Sequence, residues 1–168
     1  MSISTISRGA TLCLLLFTAP IALASDVDVK HFIEQAATVS ATTTEAATLA
    51  LRTSNSADIK DFAQRIIDDH PRGNADLQAF ARERKLELPA DQELQQRASA
   101  ELKPLRGKDF DTRFAELQVR SFEQGLALFE QAAERGDDEL QAFARAKLPV
   151  LKHQLQNARM LTRAHPAS

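Results

Sequence analysis

Three side chains of this sequence, those of Glu45, Asp69 and His70, are of types that bind transition metals. His70 falls on a helical stripe of residues spaced by three and four, the spacing that keeps side chains on one face of a helix: Ile59, Phe62, Ile66, His70, Gly73, Leu77 and Phe80. The imidazole is therefore expected to point toward the neighbouring helices. Two or three ligands form a weak, open site, and a degenerate site for iron, zinc or manganese is one hypothesis for this chain.

The backbone around His70 favours a structural interpretation instead. Pro71 cannot donate a backbone hydrogen bond and clashes with the carbonyl of Ile67, at a cost of roughly 3 kcal/mol in a helix interior. Gly73 adds backbone freedom, so the helix is expected to kink or break here. Pro149 is expected to bend a later helix in the same way. On this interpretation His70 is partly buried and donates to a carbonyl freed at the kink, and no metal or other cofactor is bound.

The sequence contains few motifs for catalysis or phosphate binding. The only cysteine, Cys13, lies within an apolar run near the start of the chain. No serine sits in a Gly-x-Ser-x-Gly turn, and no glycine loop could cradle a phosphate. No pair of carboxylates is singled out for acid–base work, although such catalysis stays open. We assign no catalytic residue and expect a protein that is not an enzyme.

Residues 1–24 resemble a secretory signal peptide that is removed after export. They carry one positive charge at Arg8, an interrupted apolar stretch, and the small-x-small ending Ala22-Leu23-Ala24. An uncleaved anchor is the alternative, but the apolar run is shorter than the ~20 residues that a spanning helix needs. The expected mature domain is residues 25–168, with no transmembrane segment, located in the periplasm or the outer envelope.

Charge and composition limit the classes of partner. The formal net charge is −2, and it becomes −3 when Arg8 is removed with the signal peptide. Tyrosine and tryptophan are absent, which removes the best side chains for base stacking and cation–π contacts. Nucleic acid is therefore not expected as a partner. A second copy of the chain or another envelope protein is left open.

The pattern of apolar residues predicts four long helices, at residues 27–53, 58–88, 109–135 and 138–164. Gly136 and Asp137 predict a tight turn between the last two. A crossover joins the middle two, with a short helix at residues 91–102. This order predicts an all-α, ferritin-like antiparallel four-helix bundle. The middle of the first helix, residues 38–45, is unusually rich in threonine and serine, which are mediocre helix formers.

Short motifs are spread over the four predicted helices. In chain order they are Phe32, Ala36-Ala37, Glu45, Asp61-Phe62-Ala63, Asp69-His70, Phe110-Asp111, Leu128-Phe129-Glu130, Leu148-Pro149 and Leu155. Together they resemble a bacterial envelope family that is labelled domain of unknown function 4142. The resemblance implies a ferritin-like fold and export to the envelope, without a settled activity.

The resemblance also implies histidines on three helices, and this chain departs from that pattern. The first position matches Asp69-His70, the second falls on Ser121-Phe122 and the third on Gln154-Leu155. His153 lies one place, or 100° around a helix, from the third position. The Glu-x-x-His pairs of ferritin-like di-iron centres do not occur in the sequence.

Two functions from different classes are therefore expected. The first is an exported, non-catalytic bundle that acts as a binding, assembly or stress-tolerance module of the envelope. The second is a ferritin-like metal-binding protein with a degenerate site around Glu45 and His70.

Overall fold

The structure, a computed structural model, describes residues 27–88 and 100–167. Four long helices account for most of them: α1 (Val29–Thr53), α2 (Ala57–Glu83), α3 (Gly107–Arg135) and α4 (Asp138–Ala164). The described residues contain no strand. The prediction of an all-α four-helix bundle is confirmed. The predicted signal peptide and most of the predicted short helix at residues 91–102 lie outside the described residues.

The contacts between helix ends establish the ferritin-like connectivity. Phe32, at the start of α1, packs edge-on against Phe80 at the end of α2 and Phe129 toward the end of α3. At the opposite end of the bundle, Phe62 near the start of α2 packs against Phe114 near the start of α3. Helices α2 and α3 are therefore parallel and diagonal to each other. Leu88 packs at one end of the bundle and Leu102 is buried at the other, as the predicted crossover requires.

Helix α2 continues through Pro71 without a break, so the alternative of a broken helix is wrong. It also ends at Glu83, five residues before the predicted end at Leu88. Lys85 takes a left-handed φ of 56°, and the backbone N–H of Leu86 donates to the carbonyl of Ala81. The sequence has no glycine or asparagine at this point that would predict the end of the helix. Leu86 and Leu88 instead turn to pack against the end of the bundle.

The turn between α3 and α4 forms as predicted. Gly136 ends α3, and the side chain of Asp137 accepts a 2.8 Å hydrogen bond from the backbone N–H of Leu140 in the first turn of α4. Gly136 has an ordinary negative φ of −69°, so conformational freedom is not what this position needs. A Cβ placed there would lie 2.6 Å from the carbonyl oxygen of Ala132 and 2.8 Å from Cγ of Leu140. Only glycine fits at this point of the turn, where the chain passes so close to the last turn of α3 and to Leu140.

The hydrophobic core is divided into two clusters, one at each end of the bundle. We name each after one fully buried phenylalanine. The Phe32 cluster contains Phe32, Ile33, Ala36, Ala37, Leu77, Phe80, Ala81, Ala132, Ala133, Leu140 and Ala144. The Phe114 cluster contains Ala46, Ala47, Ala50, Ile59, Phe62, Ala63, Ile66, Leu102, Phe110, Phe114, Ala115, Leu117, Phe122, Leu155, Ala158 and Leu161. The middle of the bundle, where His70 lies, belongs mostly to neither cluster.

Candidate functional site

A cavity of about 390 Å³ occupies the middle of the bundle between the two clusters. All four helices contribute to its walls, and most of the lining surface is apolar. Its volume falls within the range of roughly 300–1,000 Å³ that small-molecule sites occupy. The lining residues include Ser40, Thr44, Asp69, His70, Arg72, Gly73, Asp76, Phe122, Phe129, Phe143, Lys147, Val150 and Gln154.

The cavity opens between α2 and α4. Its lining residues from α1 and α3 are buried or half-buried, whereas Gly73 on α2 and Val150 on α4 are exposed. The seam between α2 and α4 is the loosest of the four seams between neighbouring helices. These two helices also carry the internal prolines, Pro71 and Pro149. Because each proline removes one backbone hydrogen bond and crowds the preceding turn, both sides of the mouth are built from helices that resist straight, close packing.

His70 projects from α2 to the wall that α1 forms. Its Nδ1 lies 2.9 Å from Oγ1 of Thr44 and 3.1 Å from Oγ of Ser40. The Thr44 hydroxyl already donates its proton to the carbonyl of Ser40 at 2.8 Å, so its oxygen accepts from His70. The hydrogen-bond network therefore assigns the proton of the neutral imidazole to Nδ1. Nε2 is left as an acceptor, and none of the described residues donates to it.

This geometry corrects the expected role of His70. We predicted a hydrogen bond to a carbonyl freed at the proline kink, but the imidazole binds two hydroxyls of a different helix. The partners come from the threonine- and serine-rich middle of α1. All four threonines of residues 38–45 bond to the carbonyl four residues earlier, which keeps them compatible with a helix. The unusual composition of this stretch was the sequence signal that could have located the partners of His70.

The mouth of the cavity carries balanced charges. Lys147 on α4 donates to the carboxylate of Asp76 on α2, across the loose seam. This hydrogen bond, together with the charge of Lys147, lowers the pKa of Asp76 below its ordinary value. The ammonium of Lys147 also lies 5.6 Å from the ring centre of Phe143. With Asp69 and Arg72, the charged lining residues comprise two carboxylates and two cations, so the site has no net formal charge when His70 is neutral.

The predicted metal ligands are only partly brought together. Asp69 and His70 both line the cavity, whereas Glu45 is not part of its lining. Glu45 follows Thr44, and one position turns a side chain by 100° around a helix, away from the face that meets His70. In residues 27–88 and 100–167, no three or more histidine, cysteine, aspartate or glutamate side chains lie close enough together to hold a metal ion. Pro71, Gly73 and Pro149, which we expected to shape the backbone, lie on the two helices that border the mouth.

A family model described as "Domain of unknown function (DUF4142)" matches residues 18–161, most of the chain. The chain belongs to the DUF4142 family. No curated protein and no solved structure matches it significantly. In the part of the DUF4142 chain that the structure describes, no helix has the length and apolarity that crossing a membrane requires.

The two positions of the expected histidine pattern that lack a histidine in this DUF4142 chain lie at or next to the wall of the cavity. Phe122 and Gln154, which stand at or beside the two positions without a histidine, line the same cavity as His70. Phe122 is 4% exposed and belongs to the Phe114 cluster. His153 is exposed, and its ring lies against Asn157 one turn further along α4. In this member of DUF4142, the cavity therefore has one imidazole facing a largely apolar wall.

Proposed function

We propose that this protein is an exported, non-catalytic binding module of the cell envelope, and that its ligand occupies the cavity in the middle of the bundle. The observation that carries the proposal is the division of the core. Protein interiors are normally packed to the density of organic crystals, with few voids larger than a water molecule. A mid-bundle space of about 390 Å³ between two well-packed clusters is therefore a feature that a binding role accounts for.

The surroundings of Ser40 and His70 argue against catalysis by this pair. A serine nucleophile needs a neighbouring base, and Oγ of Ser40 lies 3.1 Å from Nδ1 of His70. Nδ1, however, carries the proton that Thr44 accepts, so it cannot take the proton of Ser40. Ser40 also lies in the interior of α1, where backbone N–H groups are used within the helix and cannot form an oxyanion hole. The arrangement suits binding better than acyl transfer.

Export to the periplasm or outer envelope is supported by the first 24 residues. They have the charge, the apolar stretch and the Ala22-Leu23-Ala24 ending of a signal peptide. The segment that follows Ser25 contains no cysteine, which suits an oxidising compartment. N-terminal sequencing of the protein recovered from the periplasm tests this part. A chain that begins at Ser25 is expected, and a protein that retains residues 1–24 in the cytoplasm would contradict it.

The test of binding uses a neutral fluorescent probe, N-phenyl-1-naphthylamine, titrated into the purified protein. The chain has no tryptophan or tyrosine, so the probe is read without interfering protein fluorescence. We expect a saturable increase in emission.

The Gly73→Leu variant tests whether the probe binds in the cavity. Gly73 lies within α2 at the mouth, and a Cβ there meets no atom within 4 Å, so a leucine can extend over the opening without a clash. Glycine is also the poorer helix former, which protects the fold of the variant. We expect Gly73→Leu to weaken binding about tenfold, or about 1.4 kcal/mol. The control Ala75→Leu adds leucine at an exposed position of α2 outside the cavity and should bind as the wild type does. Equal binding by all three proteins would reject the cavity as the site.

A metal-binding role is the second candidate, because Asp69 and His70 line the same cavity and Nε2 of His70 has no partner among the described residues. Elemental analysis of protein purified from the periplasm without a histidine tag tests it. Near-stoichiometric iron, zinc or manganese that is lost in His70→Ala would favour this role, and Asp69 and Glu45 would be the next positions to change. Metal-free wild-type protein would reject it.

A further inference from the structure

We infer that the cavity selects small, neutral aromatic molecules that carry one hydroxyl group, and that this hydroxyl donates a hydrogen bond to Nε2 of His70. The inference rests on the proposed binding function and names the class of ligand. Three independent features of the cavity lead to it: its charge, the character of its walls and the tautomer of the one imidazole that lines it.

The charge of the site favours a neutral ligand. Asp76 and Lys147 are paired with each other, and Asp69 and Arg72 contribute one charge of each sign at the exposed mouth. The four charged lining groups sum to zero, so the site offers no net countercharge to an anionic or cationic ligand, which would lose hydration on entering a largely apolar space. A neutral molecule avoids this cost.

The walls favour a flat aromatic body. Phe122, Phe129 and Phe143 all line the cavity, and the rings of Phe129 and Phe143 lie 6.2 Å apart in a tilted arrangement. Offset and edge-to-face contacts between aromatic rings stabilise a complex beyond the burial of apolar area. The volume of about 390 Å³ has room for a ligand of one or two fused rings.

The tautomer assigned to His70 favours a ligand that donates a hydrogen bond. Thr44 and Ser40 hold Nδ1, and Thr44 fixes the proton there because its own hydroxyl donates to the Ser40 carbonyl. Nε2 of the neutral ring can then only accept. A ligand that reaches Nε2 with a hydroxyl gains a hydrogen bond, and one that offers only acceptor atoms gains none.

The experiment compares four compounds with the wild-type protein: 2-naphthol, naphthalene, 2-naphthoate and 1-octanol. The two neutral naphthalenes are followed by their own fluorescence, since the protein lacks tryptophan and tyrosine, and the other two by competition. We expect 2-naphthol to bind about tenfold more tightly than naphthalene, the factor that one hydrogen bond of ordinary strength supplies. We expect 2-naphthoate and 1-octanol to compete at least tenfold more weakly than 2-naphthol.

His70→Leu keeps an apolar side chain in place of the imidazole and removes the acceptor. In this variant 2-naphthol and naphthalene should bind equally, to within about twofold. His153→Leu is the matched control, because His153 lies on α4, is exposed and does not line the cavity. It should preserve the tenfold preference. The wild-type preference still tests the selection for a hydroxyl group if His70→Leu does not fold.

The remaining outcomes separate this inference from the proposed function. Equal binding of 2-naphthol and naphthalene to the wild type, abolished for both by Gly73→Leu, would overturn the role of Nε2 and leave the binding module standing. If 2-naphthoate binds more tightly than 2-naphthol, the selection for a neutral ligand is overturned. If 1-octanol binds as tightly as 2-naphthol, the selection for an aromatic ligand is overturned. A failure of all four compounds and of N-phenyl-1-naphthylamine to bind would overturn both proposals.

Discussion

Oγ1 of Thr44 lies 2.9 Å from Nδ1 of His70, and this contact links α1 to α2 halfway along the bundle. The two clusters of the core hold the bundle together at its ends, so the middle depends on polar contacts such as this one. The same contact fixes the orientation of the imidazole and the position of its proton. Thr44 thus connects the stability of the bundle to the chemistry of the cavity.

Thr44→Val should lower the free energy of unfolding by about 1 kcal/mol, because it keeps the shape of the side chain and removes one hydrogen bond to His70. The loss is limited because Ser40 remains near Nδ1. Urea unfolding followed by far-UV circular dichroism measures it. The control is Thr42→Val, since the Thr42 hydroxyl also bonds to a carbonyl one turn earlier but does not contact His70. Equal effects of the two substitutions would contradict a stabilising role for the contact.

The helices could be predicted from the sequence, but the cavity could not. Ile59, Phe62, Ile66, Leu77 and Phe80, all spaced by three and four, are buried as the helical period predicts. That period places His70 on the inner face of α2, but it cannot say which residues of another helix meet the imidazole. The contacts to Ser40 and Thr44 span 30 and 26 residues of sequence, and they depend on the rotation of α1 against α2.

The end of α2 also could not be predicted from the sequence. The helical period, with no stop signal before Pro89, predicts that α2 extends to Leu88. In the structure α2 ends at Glu83, and Lys85 adopts a left-handed φ that a lysine rarely takes. The tertiary contacts of Leu86 and Leu88 at the end of the bundle outweigh that local cost. Likewise, a void between two clusters produces no pattern of its own in the sequence.

Asp76→Asn should reduce the acid sensitivity of the fold. The hydrogen bond and charge of Lys147 lower the pKa of Asp76 in the folded protein below its ordinary value of 3.8. The stabilisation from this carboxylate is therefore present above pH 3.8 and is lost as the pH falls below it. We expect the drop in Tm between about pH 6 and pH 3 to be smaller in the variant than in the wild type.

Asp61→Asn is the control for Asp76→Asn, because Asp61 is exposed on the same helix and its carboxylate has no ion pair among the described residues. Its Tm should fall with pH as that of the wild type does. If Asp76→Asn and Asp61→Asn behave alike, the pair across the α2–α4 seam does not contribute to stability.

Gly136→Ala and Gly73→Ala should change stability in opposite directions. A Cβ at Gly136 would collide with the carbonyl of Ala132 and with Leu140, so we expect a loss of about 1–3 kcal/mol as the α3–α4 turn shifts. A Cβ at Gly73 meets nothing within 4 Å, and alanine favours the helix, so we expect a gain of about 0.5–1 kcal/mol. Urea unfolding of the two variants measures both. A loss at Gly73 would show that the mouth of the cavity requires a flexible backbone.

Arg84→Lys should weaken the contact between the end of α2 and the start of α4. The guanidinium donates two hydrogen bonds to Asp137, at 2.8 and 3.3 Å, and one to Glu139 at 2.9 Å. Its Cζ also lies 4.4 Å from the centre of the Phe80 ring. A lysine keeps the charge but loses the planar fork and its stacking. Because the Arg84 side chain is 13% exposed, we expect a loss of about 1–2 kcal/mol in the free energy of unfolding.

Two further variants distinguish the contacts of Arg84 from a general charge effect. Arg82→Lys changes an exposed arginine on the same turn of α2 that has no ion pair among the described residues, and it should alter stability by less than about 0.5 kcal/mol. Glu139→Ala removes the partner that is 80% exposed, and it should cost equally little because solvent screens that pair. A loss in Glu139→Ala as large as that in Arg84→Lys would place the stabilising interaction on Glu139 rather than on Asp137, which both caps α4 and accepts the paired hydrogen bonds.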